Sequence, residues 1–150
     1  MNIRKMEEKD HDFILGLSSR FNEFEFMSWR DPEKMDEAQI MMAKEAIQNP
    51  NSIIFVAEDE FNQLLGYLHV TTMSDYFTGV EQGYVSSIAV AKEGEGKGVG
   101  RKLMEKAEEW AKSKGYQQLV LNVFDKNERA LKMYQQLGFE KEIIKMVKEI

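Results

Sequence analysis

The chain has 150 residues, 43% of them hydrophobic and 31% charged, which is the size and composition of a soluble globular protein. A net charge of −6 argues against nucleic acid as the main partner, because binding to phosphate backbones needs clustered cations. The sequence has no apolar run of membrane-spanning or signal-peptide length, and its lack of cysteine excludes disulfides, thiolate metal sites and a cysteine nucleophile. We therefore expect one cytoplasmic domain over residues 1–150, with no membrane partner.

The first half of the chain predicts two helices and then a pair of strands. Pro32 suits the first turn of a helix, and Asn49-Pro50 suits the end of one. Two β-rich stretches separated by a turn favour antiparallel pairing. In chain order the pattern predicts a strand at 2–5, a helix from Asp10, a helix at 32–48, and strands at 52–58 and 64–73.

The second half predicts strands that alternate with helices. Gly115 and Gly138 follow two helical stretches, in the position where a helix often ends, and Asn127 suits a helix N-cap. The pattern predicts a strand at 83–90, a helix from Val99, a strand at 117–123 buried between layers, a helix after Asn127, and one or two closing strands in FEKEIIKMVKEI (139–150). The order βααβββαβαβ predicts an α/β fold whose mixed antiparallel and parallel sheet is flanked by helices.

Four of the 10 glycines fall between Gly94 and Gly100, between a predicted strand and a predicted helix. Glycines in this place let backbone amides turn toward an anion at the positive end of a helix. The spacing fits neither G-x-x-x-x-G-K-[ST] nor G-x-G-x-x-G, which argues against a nucleoside triphosphatase or a dehydrogenase. The loop is predicted to bind a pyrophosphate, whereas a plain flexible turn is the competing interpretation.

A resemblance to a known family rests on two stretches, YVSSIAVAKEGEGKGVGRKLMEKAEEWAKSKGY and LVLNVFDKNERALKMYQQLGF. They are similar to the GNAT superfamily of acetyl-CoA-dependent N-acetyltransferases. The family signature [QR]-x-x-G-x-[GA] is matched by residues 95–100, except that Glu95 replaces the usual Arg or Gln and brings a carboxylate close to the phosphates. A second signature, N-x-x-[AS]-x-x-x-[YF]-x-x-x-G-F, is matched by Asn127, Ala130, Tyr134, Gly138 and Phe139.

The resemblance implies a site for acetyl-CoA as cosubstrate, with no metal. It implies that backbone groups of Ile88, Ala89 and Val90 pair with the pantetheine arm and that Asn127 lies near that arm. It also implies that Tyr134 gives a proton to the leaving thiolate. The pyrophosphate would be held by the loop residues Glu95, Gly96, Lys97, Gly98, Val99, Gly100 and Arg101.

The base and the acceptor site are less defined by the sequence. An amine must be neutral to attack, so a base is expected. The candidates are Glu81 and Tyr84 near the start of the strand 83–90, with Asp75, Glu23 and Glu25 as alternatives. Aromatic residues interleaved with carboxylates suit a cationic amine, such as a polyamine, an aminoglycoside-like amine or a peptide amino terminus; the candidate contacts are Phe24, Phe26 and Trp29.

Other functions remain open at this point. A non-catalytic acyl-CoA-binding regulatory domain would keep the glycine loop without the chemistry, and a nucleotide-binding module would use it for ATP or NAD. The two histidines, His11 and His69, have no partner at a metal-binding spacing. A homodimer is compatible with the sequence.

Overall fold

The computed structural model describes residues 1–19 and 27–150. Its elements follow in chain order: β1 (Asn2–Lys5), α1 (His11–Ser18), α2 (Pro32–Gln48), β2 (Ile53–Glu58), β3 (Leu64–Ser74), β4 (Glu81–Val90), α3 (Val99–Ser113), β5 (Leu119–Leu121) and α4 (Glu128–Gln136).

One sheet of five strands in the order β1-β2-β3-β4-β5 forms the centre of the fold. Strands β1 to β4 pair antiparallel, and β5 pairs parallel to β4 after the chain has passed through α3. The hairpin of β2 and β3 and the parallel pair of β4 and β5 are those expected from the sequence. The predicted mixed α/β fold is therefore confirmed.

The sheet has a hydrophobic core on each face, because residues along a strand point to opposite sides. On one face, Leu68, Val70 and Val85 pack against the buried side of α3, which includes Leu103 and Ala107. The other face packs against α1 and α2 through residues that include Ile14, Ala46, Ile54, Val56 and Tyr67. These two layers hold β4 in the middle of the protein and leave its carboxyl end next to the start of α3.

Helix ends follow the capping residues of the sequence. Asp31 caps α2 by accepting a hydrogen bond from the Glu33 amide, with Pro32 in the first turn. Gly138 follows α4 with a φ of +96°. Phe139 then folds back: its amide donates to the Tyr134 carbonyl at 3.0 Å, and the two rings meet edge to face at 5.9 Å. None of the helices in the described ranges combines the length and the hydropathy needed to span a membrane.

Strand β5 differs from the expectation of a long strand buried between layers. It covers only Leu119–Leu121, and these residues are half-buried. The reason is its position at the edge of the sheet, where in the described part of the chain no strand covers its outer side. The sequence of this strand has apolar residues on both faces, and that pattern fits an edge strand as well as a central one.

The prediction of closing strands at 139–150 is wrong for the single chain. No strand forms after Gln136 in the described structure, and every residue from 140 to 150 is exposed. The β-type pattern of this segment is real, but a strand also needs a neighbour with which to exchange backbone hydrogen bonds. Among the described residues, 139–150 pair with no strand, and the outer edge of β5 stays uncovered.

Candidate active site

Strands β4 and β5 separate from each other halfway along β4. Their pairing runs from Gly83 opposite Leu119 to Val85 opposite Leu121 and then ends, although β4 continues to Val90. Beyond Val85, β3 is its only strand partner among the described residues. The edge of β4 over residues 86–90 therefore offers backbone groups to an extended ligand, in the way an added strand would pair.

A β-bulge marks the point of separation. In the pairing with β3, Ser87 faces His69 and Val85 faces Val70, so that Ser86 is an extra residue without a partner. Bulges of this kind re-aim side chains and often lie beside functional sites. The bulge lies one residue beyond the last pair of β4 with β5, where the gap in their pairing begins.

The glycine loop connects the end of β4 to the N-terminus of α3. Gly96 and Gly98 have φ values of +71° and +77°, which L side chains rarely adopt, and no atom lies within 4 Å of a Cβ built on either. The first intrahelical bond runs from the Lys102 amide to the Gly98 carbonyl. The amides of Val99, Gly100 and Arg101 precede this bond and point out of the positive end of the helix, as an anion requires.

Gly100 serves a different purpose from the other loop glycines. A Cβ at this position would lie 3.2 Å from the sulfur of Met133 in α4 and 3.7 Å from a methyl group of Val90. The missing side chain thus allows α4 to approach the first turn of α3. Because Tyr134 follows Met133 directly, this contact also sets the distance from the loop to Tyr134.

The carboxylate of Glu95 lies next to a cation from α4. Its Oε1 is 3.7 Å from Nη1 of Arg129, which is in the first turn of α4. The side chains of Lys97 and Arg101 are exposed nearby in sequence. Arg129, Lys97 and Arg101 thus bring positive charge to the part of the loop that holds Glu95, while Glu93 and Glu128 add further carboxylates on either side.

Tyr134 is a buried residue of α4 with 8% of its surface exposed. Burial raises the pKa of its phenol to about 12, so the hydroxyl remains protonated at neutral pH. A phenol that keeps its proton can donate it to a strongly basic leaving group. The same helix begins at Asn127, whose side-chain oxygen accepts from the Ala130 amide at 3.3 Å and so caps α4.

A cavity lies on the face of the sheet covered by α2. Its volume is about 280 Å³, and the Ser86 bulge forms part of its wall. Burial lowers the pKa of His69, which also lines it, so that the neutral imidazole predominates at pH 7. We call this space the acceptor-side cavity; it is lined by Met42, Glu45, Ala46, Asn49, Asn51, Ser52, His69, Thr71 and Ser86.

This arrangement agrees with the result of a comparison with known families. The profile of the Acetyltransferase (GNAT) family matches residues 17–139. The chain belongs to this family. Enzymes of the family use acetyl-CoA, and the glycine loop, the open edge of β4 and Tyr134 are the features that the sequence resemblance attributes to its binding and reaction.

Individual relatives support the same assignment. The thialysine N-epsilon-acetyltransferase of Sus scrofa is 31% identical over 143 residues, covering 91% of this chain and 82% of that protein. A solved structure of a Pyrococcus furiosus protein described as an acetyl transferase is 28% identical, with a TM-score of 0.79 over 99% of both chains. The fold is also that of an aminoglycoside N-acetyltransferase, AAC(6')-Iy, in complex with CoA, at 22% identity and a TM-score of 0.73 over 99% of this chain and 93% of that one.

The two candidate bases expected from the sequence, Glu81 and Tyr84, lie at different distances from the point where β4 stops pairing with β5. Glu81 opens β4 and is exposed, about 17 Å before Ser86 at the usual rise of a strand. Tyr84 lies nearer, and its hydroxyl accepts a hydrogen bond from the Asn122 side chain at 3.3 Å. The assignment of either residue as the base of this GNAT enzyme stays a prediction. His69 is a site residue that sequence reasoning missed: alternation along β3 places it on the same face as Tyr67, but only the structure brings it to the cavity.

The expected acceptor contacts are only partly within the described structure. Phe24 and Phe26 lie outside the described residues. Trp29 is described and has 42% of its surface exposed. Its neighbour Arg30 places its guanidinium carbon 5.0 Å from the centre of the Phe124 ring, after the end of β5. This contact joins the segment before α2 to the side of the gap formed by β5.

Arg30 has unused hydrogen-bonding capacity. Its Nη1 donates to the sulfur of Met35 at 3.6 Å, a weak bond. Its Nε is buried and has no hydrogen-bond partner in the described part of the chain. A buried donor without a partner is costly, and a ligand that accepts a hydrogen bond would satisfy it.

Proposed function

We propose that this acetyltransferase moves an acetyl group from acetyl-CoA directly to a primary amine. The observation that carries the proposal is the gap in the pairing of β4 with β5, which begins after Val85 and leaves the edge of β4 free as far as Val90. The chain continues from Val90 through the glycine loop to the amides of α3, whereas Ser86, at the other end of this free edge, lines the acceptor-side cavity. A donor and an acceptor can therefore meet from opposite sides of the sheet.

The donor is held mainly by backbone groups. Amides from Gly96 to Arg101 bind the pyrophosphate, while Lys97 and Arg129 add positive charge around Glu95. The free edge of β4 at Ile88, Ala89 and Val90 pairs with the pantetheine arm and polarises the thioester carbonyl. Asn127 keeps its capping oxygen for Ala130 and directs its amide nitrogen toward the arm.

The transfer needs one acid and one base. The amine nitrogen forms a bond to the carbonyl carbon while the bond from that carbon to sulfur breaks. Tyr134 gives its proton to the departing thiolate and is later reprotonated from water. The base takes the proton that the amine nitrogen loses, so charge and protons balance. Acetyl-CoA supplies only the activated acetyl group.

His69 joins Glu81 and Tyr84 as a candidate base, and we favour it. It stands opposite Ser87 in the sheet, next to the Ser86 bulge, whereas Glu81 lies about 17 Å before that bulge. Its lowered pKa leaves the imidazole neutral and able to accept a proton at pH 7. A water molecule can carry the proton where direct contact is lacking.

The acceptor is a small amine, and two classes have support. Glu45 in the acceptor-side cavity and the exposed Trp29 suit a cationic amine, such as a polyamine, an aminoglycoside-like amine or a peptide amino terminus. The unpartnered Nε of Arg30 suits instead an amine that also carries a carboxylate. The thialysine enzyme of Sus scrofa, by its name, acts on an amino acid of this second kind.

Release of free thiol from acetyl-CoA, measured against an amine panel, tests the function and separates the classes. Lysine and cadaverine form a matched pair, since both carry a primary amine on the same alkyl chain and only lysine has a carboxylate. If Arg30 binds that carboxylate, lysine has the lower KM by about 10-fold, and Arg30→Gln removes the difference. Lys34→Gln removes an exposed positive charge on α2 and is the control.

Three other results would change the conclusion. A preference for cadaverine that Arg30→Gln leaves unaltered selects the cationic class. Binding of acetyl-CoA without turnover of any amine favours the regulatory domain. Affinity for ATP or NAD in place of CoA, measured by calorimetry, favours the nucleotide-binding module.

A further inference from the structure

The guanidinium of Arg30 is held by two partners that do not neutralise its charge. Its carbon lies 5.0 Å from the centre of the Phe124 ring, which is within the range of a cation–π contact. Its Nη1 donates to the sulfur of Met35 in α2 at 3.6 Å. A phenyl ring attracts a cation and a thioether accepts a weak hydrogen bond, but neither carries a negative charge. The two contacts therefore fix the guanidinium and leave its charge available to a ligand.

The position of Phe124 follows from the register of the two strands that form the gap. Leu121 is the last residue of β5 and stands opposite Val85. Phe124 comes three residues after this pair on one side of the gap, and Ile88 comes three residues after it on the other. Three residues span at most about 11 Å, so both lie close to the same end of the strand pair. Phe124 thus anchors Arg30 on the β5 side of the gap, near the proposed donor edge.

The turn that carries Phe124 is tied to the start of α4. The Phe124 carbonyl accepts a hydrogen bond from the Asn127 amide at 2.9 Å, and the Asn127 side chain caps α4. This bond gives the half-buried ring a defined place, so that it holds the guanidinium before a ligand arrives. Preorganisation of this kind favours binding, because an arginine side chain otherwise loses rotamer freedom when a ligand immobilises it.

The contact with Phe124 uses none of the N–H groups of Arg30. A guanidinium has five such donors in one plane, and their geometry matches the two oxygens of a carboxylate. The Nε of Arg30 is buried and lacks a hydrogen-bond partner in the described part of the chain, which is costly until a ligand accepts from it. An alkylammonium group has no acceptor and is repelled by a positive charge, so the site favours a carboxylate.

We propose that Phe124 positions Arg30 to bind the carboxylate of an acceptor that carries both an amine and a carboxylate. This inference rests on the proposed function, the transfer of acetyl to an amine, and it selects the second of the two acceptor classes. Phe124 is a positioning residue, because it acts through the guanidinium. Loss of its ring should therefore weaken recognition of the carboxylate more than recognition of the amine.

Binding of lysine and of cadaverine to the CoA-saturated protein, measured by calorimetry, tests this role without requiring turnover. The wild type should bind lysine more tightly than cadaverine, and Phe124→Leu should reduce that preference about 5-fold. Phe124→Tyr keeps the face of the ring and should retain the wild-type preference. In Arg30→Gln, the further change Phe124→Leu should have no effect, since both residues act through one contact. Phe61→Leu, in an exposed ring of the turn between β2 and β3, is the control.

Two results would overturn the role of Phe124. One is a wild type without a preference for lysine. The other is a preference that Arg30→Gln abolishes but that both Phe124→Leu and Phe124→Tyr leave at the wild-type value. Acetylation of the two amines is measured separately, by release of free thiol from acetyl-CoA. A preference for lysine that depends on Phe124, without turnover of any amine, would support this site and contradict the proposed function, so the two failures are distinguishable.

Discussion

The proposed donor side and the proposed acceptor side of this GNAT domain are built in different ways. The donor side consists of the free edge of β4, the glycine loop and the first turns of α3 and α4, which follow each other within residues 86–134. It presents mostly backbone groups. The acceptor side draws side chains from the segment before α2, from α2 itself and from β3. It presents histidine, arginine, glutamate and aromatic groups.

This difference explains what each side can recognise. Backbone amides at a helix N-terminus bind a phosphate whatever the neighbouring side chains are, so the donor is common to the family. The acceptor side is built from side chains of several elements, and substitutions can alter these one at a time. The acceptor can therefore differ between relatives. The predictions below test the two sides separately.

Tyr134→Phe should have the largest effect on catalysis. Loss of the phenol proton removes the acid for the leaving thiolate, and kcat should fall about 100-fold or more. CoA affinity should change little, since the aromatic ring and its contact with Phe139 remain. Steady-state kinetics and calorimetry measure the two quantities. An equal loss in both would make Tyr134 a packing residue and remove the proposed acid.

Gly98→Val should have the largest effect on donor binding. The side chain fills the open space of the loop and strains a residue with a φ of +77°, so CoA affinity should fall about 10- to 100-fold. Gly79→Val is the matched control, because Gly79 has a φ of +71° with no atom within 4 Å and lies in the turn between β3 and β4. Equal CoA affinity in the two variants would contradict a pyrophosphate site at the loop.

His69→Gln tests the acceptor side through the pH profile. The pKa of His69 is lowered by burial, so in the wild type kcat/KM should rise with pH below 6.5 and level off near neutrality. The substitution should lower kcat/KM about 10-fold or more and abolish that rise. His11→Gln is the control. A profile that keeps its acidic limb in His69→Gln would point to Glu81, Tyr84 or a water relay.

Glu95→Gln should have the smallest effect of the four variants, and it should raise CoA affinity rather than lower it. Removal of one carboxylate beside the pyrophosphate site should strengthen CoA binding about 2- to 5-fold at low salt. The gain should shrink at high salt, because exposed charges are screened. Glu109→Gln changes the net charge equally at a distant exposed site and should have no effect. Weaker binding in Glu95→Gln would mean that Glu95 organises the loop rather than opposing the phosphates.

Local signals in the sequence were sufficient for most of the fold and for the position of the glycine loop between β4 and α3. Pro32 and Asn49 predicted the bounds of α2, and the Asn127 cap and Gly138 predicted those of α4, because such residues act within one helical turn. The four clustered glycines identified the loop for the same reason. The bulge at Ser86 depends on the register between β4 and β3. That register cannot be read from the sequence of β4 alone.

The acceptor side and the end of the chain depend on contacts between distant residues. Arg30 meets Phe124 and His69 faces Ser87 only after the sheet has formed, so neither pattern is visible along the chain. Residues 139–150 have a strand pattern but pair with no strand in the described structure. Sequence periodicity indicates the preference of a segment, whereas strand formation also depends on the neighbour that tertiary structure brings to it.

The bare backbone of Gly100 gives the domain a fixed spacing for its donor. Met133 lies against Gly100, so the packing of α4 on the first turn of α3 sets the separation between the proposed diphosphate loop and Tyr134, the proposed acid. A donor with a shortened or lengthened linker would leave its thioester out of reach. Changes in the acyl chain, which extends beyond the sulfur, should be tolerated better, so propionyl-CoA is a more suitable alternative donor than any thioester with an altered arm.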